Sequence, residues 1–370
     1  MFRSRIAGHI CVDLIPALAS PVPGPGNLAQ AGPIEVRLGG CVASTGAALA
    51  ALGAPVELVA LLSNDLLGDA AASLLEAVAV DGLQVRRIAE PATSYSVVLQ
   101  PPGLDRTFLH HIGTNAAFDG RDVAVDDTDL LHVGYPQLLP LLLDNTGAGL
   151  ASLLERARAV GVTTSVDFAT VDPARAADHP WPALVRRWAP LIDVATPSVD
   201  DLRPAFEPAL SALSASDDIA DAVRLADELV RAGTAIALVT AGRAGMCLRT
   251  ADAQRFRRGG RVLAGLAHTW ADRQLWAPPG QTAPTRTTGA GDTAAAGFLY
   301  ALVAGLTTEQ AIGLAASAAA LHVSGIEPLP AWADGHRAYD SVVLTEAAID
   351  GWTAGHLGLL HGPADRKAVA

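Results

Sequence analysis

The segment Thr287-Thr288-Gly289-Ala290-Gly291-Asp292 concentrates residue types that can do chemistry. Glycines on both sides of Ala290 permit a turn whose successive amides point at one spot. The small-residue stretch that follows from Thr293 to Ala304 reads as a helix, and its positive dipole end adds to that spot. Amides of Gly289, Ala290 and Gly291 would stabilise charge developing on a transferring phosphoryl group, while Asp292 accepts a proton from the attacking hydroxyl. The same residues equally fit a structural description, in which Gly-Ala-Gly packs closely and Asp292 caps a helix.

Three further fragments carry polar groups on glycine-punctuated backbone. In Leu38-Gly39-Gly40-Cys41-Val42-Ala43-Ser44-Thr45-Gly46, bare backbone lets a polar ligand approach and Ser44 supplies a hydroxyl; the glycines would serve a plain strand-to-helix turn as well. Asp13 is the acid that ends the first apolar strand region, where an α/β sheet binds ligands and a carboxylate can accept two hydroxyl hydrogen bonds; it also reads as a loop acid beside Pro16. Val239-Thr240-Ala241-Gly242-Arg243-Ala244-Gly245 runs from a strand into a turn that can hold a nucleotide through amides and the Thr240 hydroxyl, or simply close a hairpin.

The 370 residues carry 26 lysines and arginines against 38 acids, a formal charge of −12, which argues against nucleic acid or an anionic membrane surface as the partner. Lys367 is the only lysine, so phosphate must be handled by amides, arginine and metal ions. Cys11, Cys41 and Cys247 have neither disulfide nor zinc-finger spacing, and a reducing cytoplasm fits them. Arg3 and Arg5 before an apolar stretch imitate a secretory leader, but His9 and Asp13 interrupt it, and a buried strand is expected there.

The elements that must position these groups alternate strand and helix, the pattern of an α/β protein with a mainly parallel, doubly wound sheet. Strands are expected at 6–12, 56–62, 130–133, 164–168, 192–195 and 236–240, with helices at 45–52, 69–80, 147–159 and 218–232. From 85 to 112 the chain alternates like antiparallel strands around a turn at Pro101-Pro102-Gly103, so a small sheet is expected to project as a lid over a ligand site or as a dimerising surface. A second antiparallel element with an exposed, extended loop is expected over 245–278. No repeat or low-complexity linker divides the chain.

In this order and spacing the fragments resemble the ribokinase-like, or PfkB, carbohydrate kinases, over residues 6–330 or so. The specific match is Arg286-Thr287-Thr288-Gly289-Ala290-Gly291-Asp292 with Ala296-Gly297-Phe298 downstream, which stands for a DTxGAGD signature; the Gly39-Gly40 motif is the weaker one. The resemblance implies one domain over 1–330, a β lid from about 34–40 and 85–115, and a peripheral extension over 331–370. It implies transfer of the ATP γ-phosphoryl group to a primary hydroxyl with Mg2+ bridging the phosphates, in a cytoplasmic enzyme whose lid pairs into a homodimer. Asp292 would be the base and Gly289, Ala290 and Gly291 the anion hole. Asp13, Gly39, Gly40 and Ser44 match the sugar side, and Thr240, Gly242, Gly245 and Thr288 the nucleotide side; Asn115, in a Gly113-Thr114-Asn115 stretch similar to the family's Gly-Ala-Asn at the lid's return, stands with the sugar side but is read as structural ahead of a ligand contact.

The departures from that pattern are specific. Ser44 stands for a sugar-binding asparagine, and Gly134 for a glutamate that contacts ribose, which makes ribose a poor candidate. Ser198-Val199-Asp200-Asp201 stands for Asn-x-x-Glu, leaving Asp201 to reach a metal through water. Arg286 replaces an aspartate of a monovalent-cation site, so activity is expected not to depend on potassium. A nucleoside kinase would need an aromatic side chain on a base, with Tyr95, Phe108 and Phe118 the candidates. A catalytically silent sugar-binding relative is the third reading. His110 and His111, adjacent in a strand, should face opposite ways and not share a metal.

Overall fold

The computed structural model describes residues 1–104, 106–144, 146–171, 178–206, 218–281, 285–326 and 349–367. Apolar runs such as Val56–Ser63 and Ile236–Thr240 are buried on both faces, as parallel strands covered by helices must be. The strands are β1 (Ser4–Gly8), β2 (Cys11–Pro16), β3 (Ile34–Gly39), β4 (Val56–Ser63), β5 (Gly82–Ile88), β6 (Tyr95–Leu99), β7 (Thr107–His111), β8 (Leu130–Gly134), β9 (Thr163–Asp167), β10 (Val194–Ala195), β11 (Ile236–Thr240), β12 (Met246–Thr250), β13 (Gln274–Ala277), β14 (Thr353–Ala354) and β15 (Leu360–His361).

The large sheet has the order β14-β15-β13-β12-β11-β10-β9-β8-β1-β4-β5, parallel from β5 through β11 and antiparallel beyond. The chain winds outward from β1 in both directions, so the switch point lies between β1 and β8. There Gly8 pairs with Gly134, and Gly134 pairs with Asp167, forming one row at the carboxyl ends of three strands. Crevices at such a switch point are where open α/β sheets bind ligands.

The lid is a separate four-stranded sheet, β3-β2-β6-β7. Its make-up differs from expectation at two places. The first apolar run, expected as one strand over 6–12, is cut at His9-Ile10, and its second half becomes the lid strand β2. Asn115 holds this bend: its amide donates to the Ile10 carbonyl at 2.9 Å and its oxygen accepts from the Ile10 amide at 3.3 Å. Conversely, residues 82–88 belong to the edge of the large sheet, paired with β4, and not to the lid.

Two other expectations are corrected. Between β12 and β13 the chain forms short helices, Ala253–Arg257, Arg261–Ala264 and Ala267–Trp270, whose Phe256, Leu263 and Trp270 are fully buried, in place of an exposed loop. The end of the chain is not peripheral where it is described: β15 pairs with β13, and Asp365 is buried against Arg273 at 3.0 Å. Residues 331–348 and 368–370 of the expected extension lie outside the described residues.

Helices Ala290–Val303 and Thr308–Val323 are joined by a tight turn, the second opening on a Thr307/Gln310 capping box. Alanines on both let them approach closely, and a side chain at Gly297 would reach the Leu314 carbonyl at 2.9 Å. Among the described residues no helix is long and apolar enough to cross a membrane.

Candidate active site

Helix Cys41–Ala51 packs against helix Ala290–Val303, so the two glycine-led helix starts meet. Gly289 takes a left-handed φ of 82° at the N-cap, a conformation that glycine adopts without strain. Gly291 is exposed with open space beside it, while Asp292 next to it is 6% exposed. The turn thus presents backbone outward and a carboxylate inward. Of the three expected donors, the Ala290 amide is engaged by the Thr287 carbonyl at 3.2 Å. Among the described residues the Gly289 and Gly291 amides have no such backbone partner.

Asp292 Oδ1 accepts from the Tyr135 hydroxyl at 2.7 Å and from Thr45 Oγ1 at 3.0 Å. Burial pushes its carboxyl up to about 6, against the opposing pull of those two hydrogen bonds. Asp13 adds to the rise through its charge.

Neither Thr45 nor Tyr135 was singled out as a site residue from sequence. Thr45 sits beside Ser44 in the glycine motif, a signal that was present; Ser44 itself is half-buried one position around the helix. Tyr135 has φ 62° and directly follows Gly134. A side chain at Gly134 would stand 2.0 Å from Cys41 Cβ and Sγ, so no glutamate fits there, and the residue that projects toward the site is Tyr135.

On the lid, register aligns Arg37, Asp13, Ser96 and His110 across β3, β2, β6 and β7. This is the inner, polar face; Asp13 is 7% exposed and burial raises its carboxyl. Gly39 is needed for that carboxylate, since a Cβ there would lie 2.5 Å from both Asp13 oxygens. Gly40, with φ 85°, leaves similar room for His9, whose Nδ1 and carbonyl lie 2.5 and 2.6 Å from where a Cβ would be. The opposite lid face aligns Val36, Leu14, Val97 and Leu109. Asn115 has the structural role expected of it, its side-chain amide being spent on the Ile10 backbone.

Thr240 ends β11, half-buried, and Thr240 pairs with Met246 across a hairpin. Gly242 has open space beside it. Gly245, with φ 112° and the Ala277 carbonyl of β13 2.2 Å from any Cβ, is required by the turn and by the neighbouring strand. Thr288 is half-buried and its carbonyl accepts from His322 Nε2 at 2.7 Å. With that proton on Nε2, His322 Nδ1 accepts from Arg286 at 3.3 Å, while Arg286 Nε donates to the His322 carbonyl at 3.0 Å. Arg286 therefore lies against the negative end of helix Thr308–Val323. Arg106, at the start of β7, donates to Thr287 Oγ1 and ties the lid to the glycine turn.

Asp201 belongs to a capping box. Ser198 N and Oγ donate to Oδ2 at 2.8 and 2.7 Å, Thr170 Oγ1 donates to Oδ1 at 2.9 Å, and the Asp201 amide donates back to Ser198 Oγ at 3.1 Å. Burial pushes its carboxyl up to about 6. Asp167, also unforeseen, is pushed well up by burial and by the charges of Asp292 and Asp201.

The family model described as pfkB family carbohydrate kinase matches residues 3–330. No curated protein matches the chain by sequence. Among solved structures, ribokinase from Thermotoga maritima superposes with a TM-score of 0.64 at 18% identity, over 93% of this chain and 97% of its own. Arabidopsis thaliana ribokinase, complexed with ribose and ATP, gives 0.64 at 20% identity over 89% and 95%. A nucleoside kinase of Methanocaldococcus jannaschii, an archaeal member of the ribokinase family, gives 0.66 at 16% identity over 92% and 99%. These likenesses establish the ribokinase fold, and the match over residues 3–330 carries the rest: the chain belongs to the pfkB family and is a carbohydrate kinase.

Proposed function

We propose that the enzyme transfers the γ-phosphoryl group of ATP to a primary hydroxyl of a small sugar or sugar derivative. The observation that carries this reading is Asp292: a buried carboxylate with its proton affinity near 6, beside amides of a glycine turn, at the switch point of the sheet and below the lid. Asp292 takes the hydroxyl proton while Gly289 and Gly291 donate to the migrating phosphoryl oxygens, the Ala290 amide joining once released from Thr287. Asp13, with Gly39 and Gly40 behind it and Ser44 nearby on its helix, receives sugar hydroxyls. Thr240, Gly242 and Thr288 line the nucleotide side.

The charges of Asp292 and Asp201 raise the proton affinity of the buried Asp167, and a hard divalent cation, which takes oxygen donors, would relieve that crowding of negative charge. Mg2+ would be held by Asp167 directly and by Asp201 through water, and would neutralise phosphate charge. Lid pairing into a homodimer is supported by the apolar outer row from Val36, 40% exposed, to Leu109, 57% exposed. A monomer by sedimentation would remove that part of the proposal.

A nucleoside acceptor fits less well. Phe118 is 6% exposed within the core, and Tyr95 packs on His111 at 5.3 Å on the outer face, so only Phe108 is left to meet a base. The test is an ADP-release screen over ketoses, aldoses, sugar acids, sugar phosphates and nucleosides. Turnover with an uncharged sugar or sugar acid supports the reading. Turnover confined to nucleosides overturns the acceptor, and ATP binding without turnover on any of them leaves a silent relative.

A further inference from the structure

His110 and His111 do face opposite ways, yet His110 is not alone on its face. Side chains alternate along β2, so Cys11 and Asp13 share one side, and register sets Ser96 beside Asp13 and His110 beside Ser96, while His9 reaches His110 from the bend before β2. His9 Nε2 and His110 Nε2 stand 3.4 Å apart. Together with Cys11 Sγ, they form a set whose ligand atoms all lie within 4.8 Å of one another.

These spacings are those of a metal site. Two nitrogens bound at ~2.0–2.1 Å to one tetrahedral zinc lie about 3.4 Å apart, and a nitrogen and a thiolate sulfur about 3.6 Å apart. The histidine pair already has the first separation, and a side-chain adjustment brings Cys11 to the second. His110 Nδ1 is 3.0 Å from Ser96 Oγ, the outer partner that fixes a ligating ring. The Cys11 thiol donates to Asp13 Oδ1 at 3.3 Å, so a carboxylate stands beside the sulfur and adds attraction for a cation. His110 is exposed, which supplies the route of entry, whereas His9 and Cys11 are buried.

We propose that His9 Nε2, Cys11 Sγ and His110 Nε2 form a binding site for a zinc-like divalent ion, with a coordination position left for water or a ligand oxygen. Cys11 binds as thiolate and its proton leaves to the buffer. Cys11 and His110 lie on two lid strands and His9 at the bend below them, so the ion ties the lid to the large sheet. The soft sulfur and imidazole donors distinguish this site from the all-oxygen set proposed for Mg2+.

The test is a Co2+ titration of the full chain, metal-free and without an affinity tag. One equivalent is expected to produce tetrahedral visible bands and a thiolate-to-cobalt charge-transfer band, both removed by Zn2+. Cys11→Ser should abolish the charge-transfer band. His110→Ala should weaken binding at least about tenfold, on the scale seen for disturbed metal sites. His110 is exposed, so its variant separates lost binding from lost folding. Absence of the tetrahedral spectrum, a charge-transfer band that persists in Cys11→Ser, or unchanged affinity in His110→Ala overturns the site. None of these readouts involves phosphoryl transfer, so the result is independent of the kinase mechanism.

Discussion

The Tyr135 hydroxyl donates to Asp292 Oδ1 at 2.7 Å, across 157 residues of sequence. That hydrogen bond stabilises the charged carboxylate, and with Thr45 it opposes the burial that raises the Asp292 proton affinity. The residue at the end of β8 therefore tunes the proposed base at the head of the helix.

Removing the hydroxyl should shift the pH profile instead of lowering activity uniformly. In Tyr135→Phe the carboxylate loses a donor and its proton affinity rises further above about 6. The acid limb of kcat/KM, which reports the free enzyme, should move upward, with a loss of up to about tenfold near pH 6.5 that shrinks above pH 8. A loss equal at all pH values would show that Tyr135 acts only through packing.

The same shift has a consequence for stability. A carboxyl raised to about 6 from 3.8 favours folding while protonated, so its stabilising contribution is complete below pH 4 and lost as pH rises through about 6. Asp292→Asn keeps an oxygen for Tyr135 and Thr45 and removes the charge. It should be more stable than the parent at pH 8, by up to about 3 kcal/mol on the scale of 1.36 kcal/mol per pKa unit, and nearly equal to it at pH 4. Thermal unfolding at the two pH values reads this difference, and an Asn variant less stable at pH 8 would contradict it.

Gly134→Ala should destabilise the fold by about 1–3 kcal/mol or more, because the new methyl enters the space of Cys41 Cβ and Sγ. Cys41→Gly in the same chain should restore part of the loss. Chemical denaturation measures both, and a single variant as stable as the parent would show that the contact yields.

What could be read from sequence follows from what is local. The Gly289–Asp292 turn, the strand and helix rhythm, and the hairpin of β6 and β7 are encoded by residues near one another, and each was legible. The break at His9-Ile10 was not, because the run from Ile6 to Val12, interrupted only by His9, reads as one buried strand and the bend depends on Asn115, 105 residues away. β5 alternates as a lid strand would, since an edge strand of the large sheet also has one covered face and one open face. Thr45 and Tyr135 reach Asp292 across 247 and 157 residues, so only the packing of the two glycine-led helices against each other and beside the end of β8 reveals them. The Ser-x-x-Asp spacing at Asp201 carries a capping signal as well as a metal-ligand one, and the structure shows the capping geometry.

Arg286 leads to a prediction about ions. Its guanidinium donates to the His322 carbonyl and Nδ1 at the end of helix Thr308–Val323, and so supplies a fixed positive charge beside the signature turn. Turnover at constant ionic strength should be the same in potassium and sodium. Strong activation by potassium would show that a monovalent ion still binds despite the arginine.

The central claim is that Asp292 takes the proton of the acceptor hydroxyl. Its most direct test is single-turnover phosphoryl transfer by Asp292→Asn with saturating ATP and acceptor, alongside ATP affinity measured by titration. The mechanism predicts a rate lower by two to four orders of magnitude, about the usual contribution of a general base, with ATP affinity changed little. A rate within a few-fold of the parent would contradict it.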